Sequence, residues 1–248
     1  SAWRLAGVGA ETIRPESLFE FAKFLEPCGF KKESFCACYG MAECSLAVSF
    51  APLDKGLSVD SVDGDYLSEY RQALPTEVDS PQGAIRSNRF VNCGTPLPDY
   101  EVEVRDHEGQ KLPERHVGAI HVRAASLMSG YFGDLKLTQE VLTPDGWFNT
   151  GDLGYFVKNS LFITGREKDM IIINGRNIWP QDLEFVAERD RRFAAFEAHY
   201  AGLETVPLLV RVREVRRNEL RALLWSPSRS ADMPSTYGFL PPPRRLLA

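Results

Sequence analysis

Four charged side chains stand together in Thr164-Gly165-Arg166-Glu167-Lys168-Asp169, between the apolar runs LFI and MIII. Apolar strands on both sides force such a turn to project its charges at one edge. Arg166 offers a planar, permanently charged fork suited to hydroxyls and phosphates. Lys168 stands where backbone torsions could change. Alone, these letters also fit a solvated surface turn. Just upstream, Thr150-Gly151-Asp152 follows Trp147-Phe148. A carboxylate has two acceptor oxygens and can take both hydroxyls of a vicinal diol such as ribose; the same Asp also fits a turn cap. Tyr39-Gly40-Met41-Ala42-Glu43 combines a stacking ring, a glycine that lets a ligand approach backbone, and a carboxylate for a hard cation. A buried Tyr and a surface Glu would give the same letters. Gly9-Ala10-Glu11 offers a small-residue ledge on which a flat base could lie.

These groups need elements to hold them. WRLAGVG (3–9) reads as a short buried strand. Pro15 fits the first turn of a helix in which Leu18, Phe19, Ala22 and Leu25 recur at helical spacing. FCACYG (35–40) is a strand ending at a glycine. Residues 52–90 are polar and turn-rich without a strong period, which predicts a surface insertion or long loop. From Asn92 the texture is β, with YEVEVRDHEGQKL alternating and turning at Glu108-Gly109. LKLTQEVL reads as a short helix and SGYFG as a loop. GWFNTGDLGYFV reads as two strands broken at Thr150–Asp152. LFITG and MIIIN read as a hairpin around Arg166–Asp169. Pro180 opens a helix running through Glu188, with Asp182 and Glu184 favourable to its positive dipole end.

The 248 residues allow one or two domains, at 44% apolar and 25% charged, an ordinary globular balance. No apolar run approaches the length that crosses a bilayer, and no secretory signal opens the chain. It begins without Met, directly on a strand-like run, as though cut inside a domain. Five cysteines, an odd number without CxxC spacing, argue against a disulfide framework or a zinc site and for reduced thiols in a cytoplasmic protein. The net charge of -5 hides an asymmetry: from Arg189 onward there are 11 Arg against 6 acidic residues. Those arginines lack interleaved aromatics and a helical stripe, so no nucleic-acid reader is expected.

The ordered series GAE, YGMAE, TGD, GREKD and NGRN resembles the adenylate-forming superfamily of acyl-CoA synthetases, luciferases and peptide-synthetase adenylation domains. NGRNIWPQDLE and FCACYGMAECSLAV are most similar to fatty acyl-AMP ligases, and 52–90 falls where those carry an extra segment. The resemblance covers residues 1–188 well. It implies a partial luciferase-like fold, α/β with a β-barrel-like subdomain and an α+β C-terminal domain. Residues 1–163 would be the C-terminal part of the large AMP-binding domain, with 52–90 the insertion and 92–163 the β-barrel-like part. Residues 164–248 would be the small domain, incomplete.

The implied reaction is attack of a carboxylate on the α-phosphate of ATP, giving acyl-adenylate, with Mg²⁺ present. Gly9, Ala10 and Glu11 would line the adenine, Tyr39 would pack on it, and Gly40, Met41 and Ala42 would run beside adenine and α-phosphate. Glu43 would hold the metal, Asp152 the ribose hydroxyls with Arg166 beside it, and Lys168 would be the hinge. A fatty acid is the implied substrate and an acyl carrier protein or polyketide synthase the implied acceptor. An acyl-CoA synthetase fragment and a non-catalytic interaction module remain the alternatives. The family's phosphate-binding loop would lie upstream of Ser1, and no lysine follows Lys168 to stand for the family's catalytic one. No catalytic residue is therefore assigned. The isolated chain is expected not to form acyl-adenylate, and its Arg/Pro/Ala-rich tail resembles the product of a shifted reading frame.

Overall fold

The computed structural model describes residues 3–77, 87–173, 176–178 and 180. The chain divides into two compact units, Ser1–Trp179 and Pro180–Ala248. The helix expected from Pro180 to Glu188 falls, beyond Pro180 itself, outside the described residues, as do the arginine-rich tail and Gly175 of the NGRN run.

In the first unit, β1 (Ala6–Val8) leads to α1 (Pro15–Leu25), then β2 (Phe35–Met41), β3 (Leu46–Phe50) and β4 (Val59–Asp63). Helix α2 (Gly64–Tyr70), β5 (Ser87–Val91), β6 (Thr95–Pro96), β7 (Glu101–Arg105) and β8 (Gly118–Arg123) follow. The remainder is α3 (Leu135–Val141), β9 (Phe148–Val157), β10 (Ser160–Arg166), β11 (Ile171–Ile173) and β12 (Arg176–Ile178). Helix α1 starts at Pro15, with Glu16 in its first turn and Lys23 in its last, both matched to the helix dipole. It covers β1 and β2 through a cluster of Ala6, Ala22, Phe30 and Phe35.

Two four-stranded sheets carry the architecture. One runs β1-β2-β3-β6, with β1 and β2 parallel. The other runs β10-β9-β8-β7 and is antiparallel throughout. Period-2 alternation makes the second sheet apolar on both faces. Ile120, Val122 and Leu161 pack with Tyr39 and Val48 of the first sheet and with Cys44 in the turn between β2 and β3. Leu153, Tyr155 and Phe162 point the other way, to Val62, Leu67 and Phe90. On that face the Tyr155 and Phe162 rings stack 5.1 Å apart.

The second face corrects an expectation. Residues 52–90 are not one long loop. Strands β4 and β5 pair antiparallel around α2 and cap the sheet. Helix α2 starts where Asp63 accepts the backbone N–H groups of Asp65 and Tyr66. The cap is bolted down by Asp60, whose carboxylate accepts from the Tyr155 hydroxyl at 2.8 Å and from Arg115 Nη1 at 3.0 Å. The apolar residues here are too few to show a period, but Val62 and Leu67 are fully buried.

Two further corrections concern strands. GWFNTGDLGYFV is not two strands: β9 is continuous through Thr150–Asp152. LFITG and MIIIN do not pair with each other. The first pairs back on β9 and the second forward with β12, so the charged turn joins two different sheets. Strand β10 ran against the nearer partner in sequence, β9, because only Lys158 and Asn159 separate them, a tight hairpin connection with both residues at positive φ.

Candidate functional site

Because β1 and β2 are parallel, with Val8 beside Ala37, their carboxyl ends emerge together. Gly9-Ala10-Glu11 therefore lies beside Cys38-Tyr39-Gly40. In open sheets this end of parallel strands is where ligands gather. Ala10 takes a left-handed φ of 71°, and Glu11 is exposed. A Cβ on Gly9 would come within 2.8 Å of the Cys38 carbonyl oxygen, so the ledge is pressed against β2.

Strand β2 carries Tyr39 into the core and Gly40 into a register shift against β3. A Cβ at Gly40 would stand 1.7 Å from the Leu46 carbonyl oxygen. The neighbouring strand, before any ligand, demands glycine there. Met41 is half-buried against the Ile120–Leu161 core, and Ala42 is exposed at the start of a 3-10 turn, Ala42–Cys44, that presents Glu43.

Asp152 arrives on a different strand through a bulge. On β9, Thr150, Gly151 and Asp152 stand opposite the single residue Ile120 of β8. Gly151 supplies the required φ of 70°. Thr150 Oγ1 donates to the Ile120 carbonyl at 2.9 Å and accepts from the Asp152 N–H at 3.1 Å, which fixes the bulge. The bulge aims the Asp152 carboxylate at β2. Tyr39 donates its hydroxyl to Asp152 Oδ2 at 2.7 Å. Arg166, directly across β10 in register, places Nε 3.2 Å from Asp152 Oδ1. Tyr39, Asp152 and Arg166 thus converge from three strands.

The electrostatics follow from depth. Burial raises the pKa of Asp152, against hydrogen bonds from Tyr39 and Arg166 that lower it, and Glu43 raises it further. Burial, then the Asp152 charge, pushes Tyr39 well above the usual phenol range. Tyr39 is therefore a permanent donor. Arg166 is exposed, so its fork remains open to a ligand beyond its bond to Asp152.

Lys168 is exposed in a 3-10 turn, Glu167–Asp169, that follows Arg166 directly. Beyond it, Asn177 of β12 turns inward: its Nδ2 donates to the Ser68 carbonyl of α2 at 2.9 Å, and both residues are buried. The sequence alone assigns Asn177 of the NGRN run no task, and this bond gives it one. Reasoning also missed Thr150 and Tyr131. The Tyr131 hydroxyl donates to Glu43 Oε1 at 2.8 Å, from a segment read only as a loop.

Glu43 stands without a carboxylate cluster around it. Among the described residues no group of three or more His, Cys, Asp or Glu could hold a metal. One carboxylate suits a Mg²⁺ that keeps waters and takes its other ligands from phosphates, and does not suit a cage built from protein alone. All five cysteines are free, with burial pushing Cys44 up to about 11 and Cys93 up to about 12.

Known proteins match this arrangement. The AMP-binding enzyme family matches residues 1–132. A Caulobacter vibrioides protein, described provisionally as an acyl-CoA synthetase, is 48% identical over 190 residues, 77% of this chain and 32% of its own length. The medium-chain-fatty-acid–[acyl-carrier-protein] ligase JamA of Moorena producens is 34% identical over 238 residues, 90% of this chain and 39% of its own. A solved structure of fatty acyl-adenylate ligases from E. coli and L. pneumophila superposes with a TM-score of 0.71 at 44% identity, covering 76% of this chain and 33% of that one. The chain thus spans about a third of the length of the relatives it matches, and its fold is part of that of an adenylate-forming enzyme. Its sequence motifs, sheet arrangement and relatives agree: this chain belongs to the AMP-binding enzyme family.

Proposed function

We propose that this chain is the C-terminal portion of a fatty acyl-AMP ligase, which forms acyl-adenylate from a fatty acid and ATP and hands the acyl group to a carrier protein. The observation that carries the nucleotide reading is the convergence of Tyr39, Asp152 and Arg166 beside the Gly9–Glu11 ledge. In this reading Gly9, Ala10, Glu11 and Tyr39 line the adenine, Gly40 to Ala42 run towards the α-phosphate, and Asp152 takes the ribose hydroxyls. Arg166, already oriented by Asp152, closes the other side. Glu43 would hold Mg²⁺, and the ion would supply charge neutralisation at the phosphates. Fixed charges of this kind act without reorganising at the moment of reaction.

The choice of an AMP ligase over a CoA-forming synthetase rests on residues 52–90. This segment packs through α2 onto the hairpin beyond the Lys168 turn, with the Asn177–Ser68 bond at the contact. A segment holding that hairpin restrains the turn proposed as the hinge. The carrier acceptor is favoured by the likeness to JamA.

Calorimetric titration with AMP tests the nucleotide site. Binding by the folded chain, weakened about tenfold or more in Asp152→Ala, is the expected result. A chain with a folded circular dichroism spectrum and no AMP binding would overturn it and leave an interaction module.

A further inference from the structure

Glu43 is held by a segment that the nucleotide reading does not use. Residues 126–131 lie between β8 and α3 and lace onto the turn that carries this carboxylate. The Met128 N–H donates to the Glu43 carbonyl at 2.8 Å. Ser45 Oγ donates to the Ser126 carbonyl at 3.2 Å. Ser126 Oγ and the Tyr100 hydroxyl touch each other and both reach the Cys44 carbonyl. The backbone of Ala42–Cys44 is therefore fixed from one side. The side chain of Glu43 is then fixed by Tyr131, whose hydroxyl reaches Oε1 at 2.8 Å across 88 residues of sequence. Tyr131 is aimed in turn by its own N–H, which donates to Thr138 Oγ1 at 2.9 Å in the first turn of α3. Among the described residues no cation pairs with Glu43.

We propose that Tyr131 is a positioning residue for the metal carboxylate: it occupies Oε1 and presents Oε2 as the single oxygen offered to Mg²⁺. This rests on the assignment of Glu43 to the metal. The geometry suits that ion. Mg²⁺ demands near-ideal octahedral geometry and dehydrates reluctantly, so a carboxylate clamped at one oxygen, and thus one-toothed, fits it better than a freely rotating or two-toothed one. Hydrogen bonds that orient a metal ligand carry a large share of such a site's affinity.

The test is Mn²⁺ uptake in the presence of ATP, followed by electron paramagnetic resonance, in the wild-type chain, Tyr131→Phe and Glu43→Gln. AMP affinity without metal is measured alongside. Tyr131→Phe is expected to weaken Mn²⁺ about tenfold while AMP affinity stays at the wild-type value. Glu43→Gln is expected to weaken Mn²⁺ further still. Wild-type Mn²⁺ affinity in Tyr131→Phe, with Glu43→Gln impaired, overturns the positioning role alone. Equal losses of Mn²⁺ and AMP in Tyr131→Phe also overturn it, by showing a general structural role. Wild-type behaviour in Glu43→Gln, or no Mn²⁺ uptake by the wild-type chain, overturns the metal assignment beneath it.

Discussion

Tyr39 and Asp152 are 113 residues apart in sequence and joined by a 2.7 Å hydrogen bond inside the protein. The bond ties the mixed sheet, β1-β2-β3-β6, to the antiparallel one at the point where the candidate site forms. Tyr39→Phe leaves Asp152 Oδ2 desolvated without its donor, and such a loss costs about 1–3 kcal/mol. Thermal unfolding of the variant measures it. A change below about 0.5 kcal/mol, the ordinary range for surface substitutions, would show that the bond contributes nothing to holding the sheets together.

Asp152 itself is retained at a cost in stability. Its folded pKa lies above its ordinary value of 3.8, because burial disfavours the charge. The folded protein therefore holds that proton more tightly than the unfolded chain. The stability this gives is fully present below the ordinary value and is lost as pH rises through the raised pKa. Asp152→Asn is expected to flatten that acid-side slope and to match or exceed wild-type stability at pH 7, while weakening AMP binding. Unfolding midpoints measured from pH 4 upward check it, and a variant with the wild-type slope would refute the assignment.

His121 works in the opposite direction. It is buried on β8, and burial lowers its pKa below 6.5, with Arg105 adding to the effect and the Ala119 carbonyl, Glu103 and Glu167 opposing it. The unfolded chain then binds the proton more tightly than the folded one. Stability is present above 6.5 and is lost as pH falls through the lowered pKa. His121→Gln is expected to remove this loss, seen as a smaller drop in melting temperature between pH 7 and pH 5.

Two guanidinium groups lie over the Trp147 ring, Arg105 4.3 Å and Arg123 4.8 Å from its centre. Each arginine is also paired, Arg105 with Glu103 along β7 and Arg123 with Glu101 across β7 and β8. The ring is buried just before the bulge that aims Asp152. Trp147→Ala is expected to cost about 3–5 kcal/mol by chemical denaturation, and Arg123→Gln far less.

Asn177→Asp keeps the shape of the side chain and removes the N–H that reaches Ser68. A carboxylate would then face a buried carbonyl oxygen. Destabilisation of about 1–3 kcal/mol is expected, against a near-neutral effect if the amide is not buried against α2 in solution.

Much of the site could be read from sequence because its parts are local. YGMAE, TGD and GREKD each sit on a strand or the turn that follows it, where residue types and a glycine mark a candidate site. Strands β2 and β8 and helices α1 and α3 could be read for the same reason: their periods are complete within a few residues. What could not be read is relational. The TGD bulge looks like a strand break because a glycine with positive φ serves both. The pairing of β10 with β9, and of β11 with β12, is decided by register and connection length rather than by composition. Residues 52–90 hide their order because Val62, Leu67 and Phe90 are buried by a sheet lying far along the chain. Tyr131 gives no local sign of its task, since its partner is 88 residues away.

The Asn177–Ser68 bond divides the possible swivels of this protein into two kinds. A pivot at Lys168 peels β11 and β12 off α2, so the amide must first let go, and its strength becomes part of the barrier to turning. A pivot beyond Ile178 leaves the amide in place, and the hairpin stays behind as part of the stationary body. If the proposed hinge turns, the Asn177 amide would act as a latch, and its release or retention would report where the chain bends.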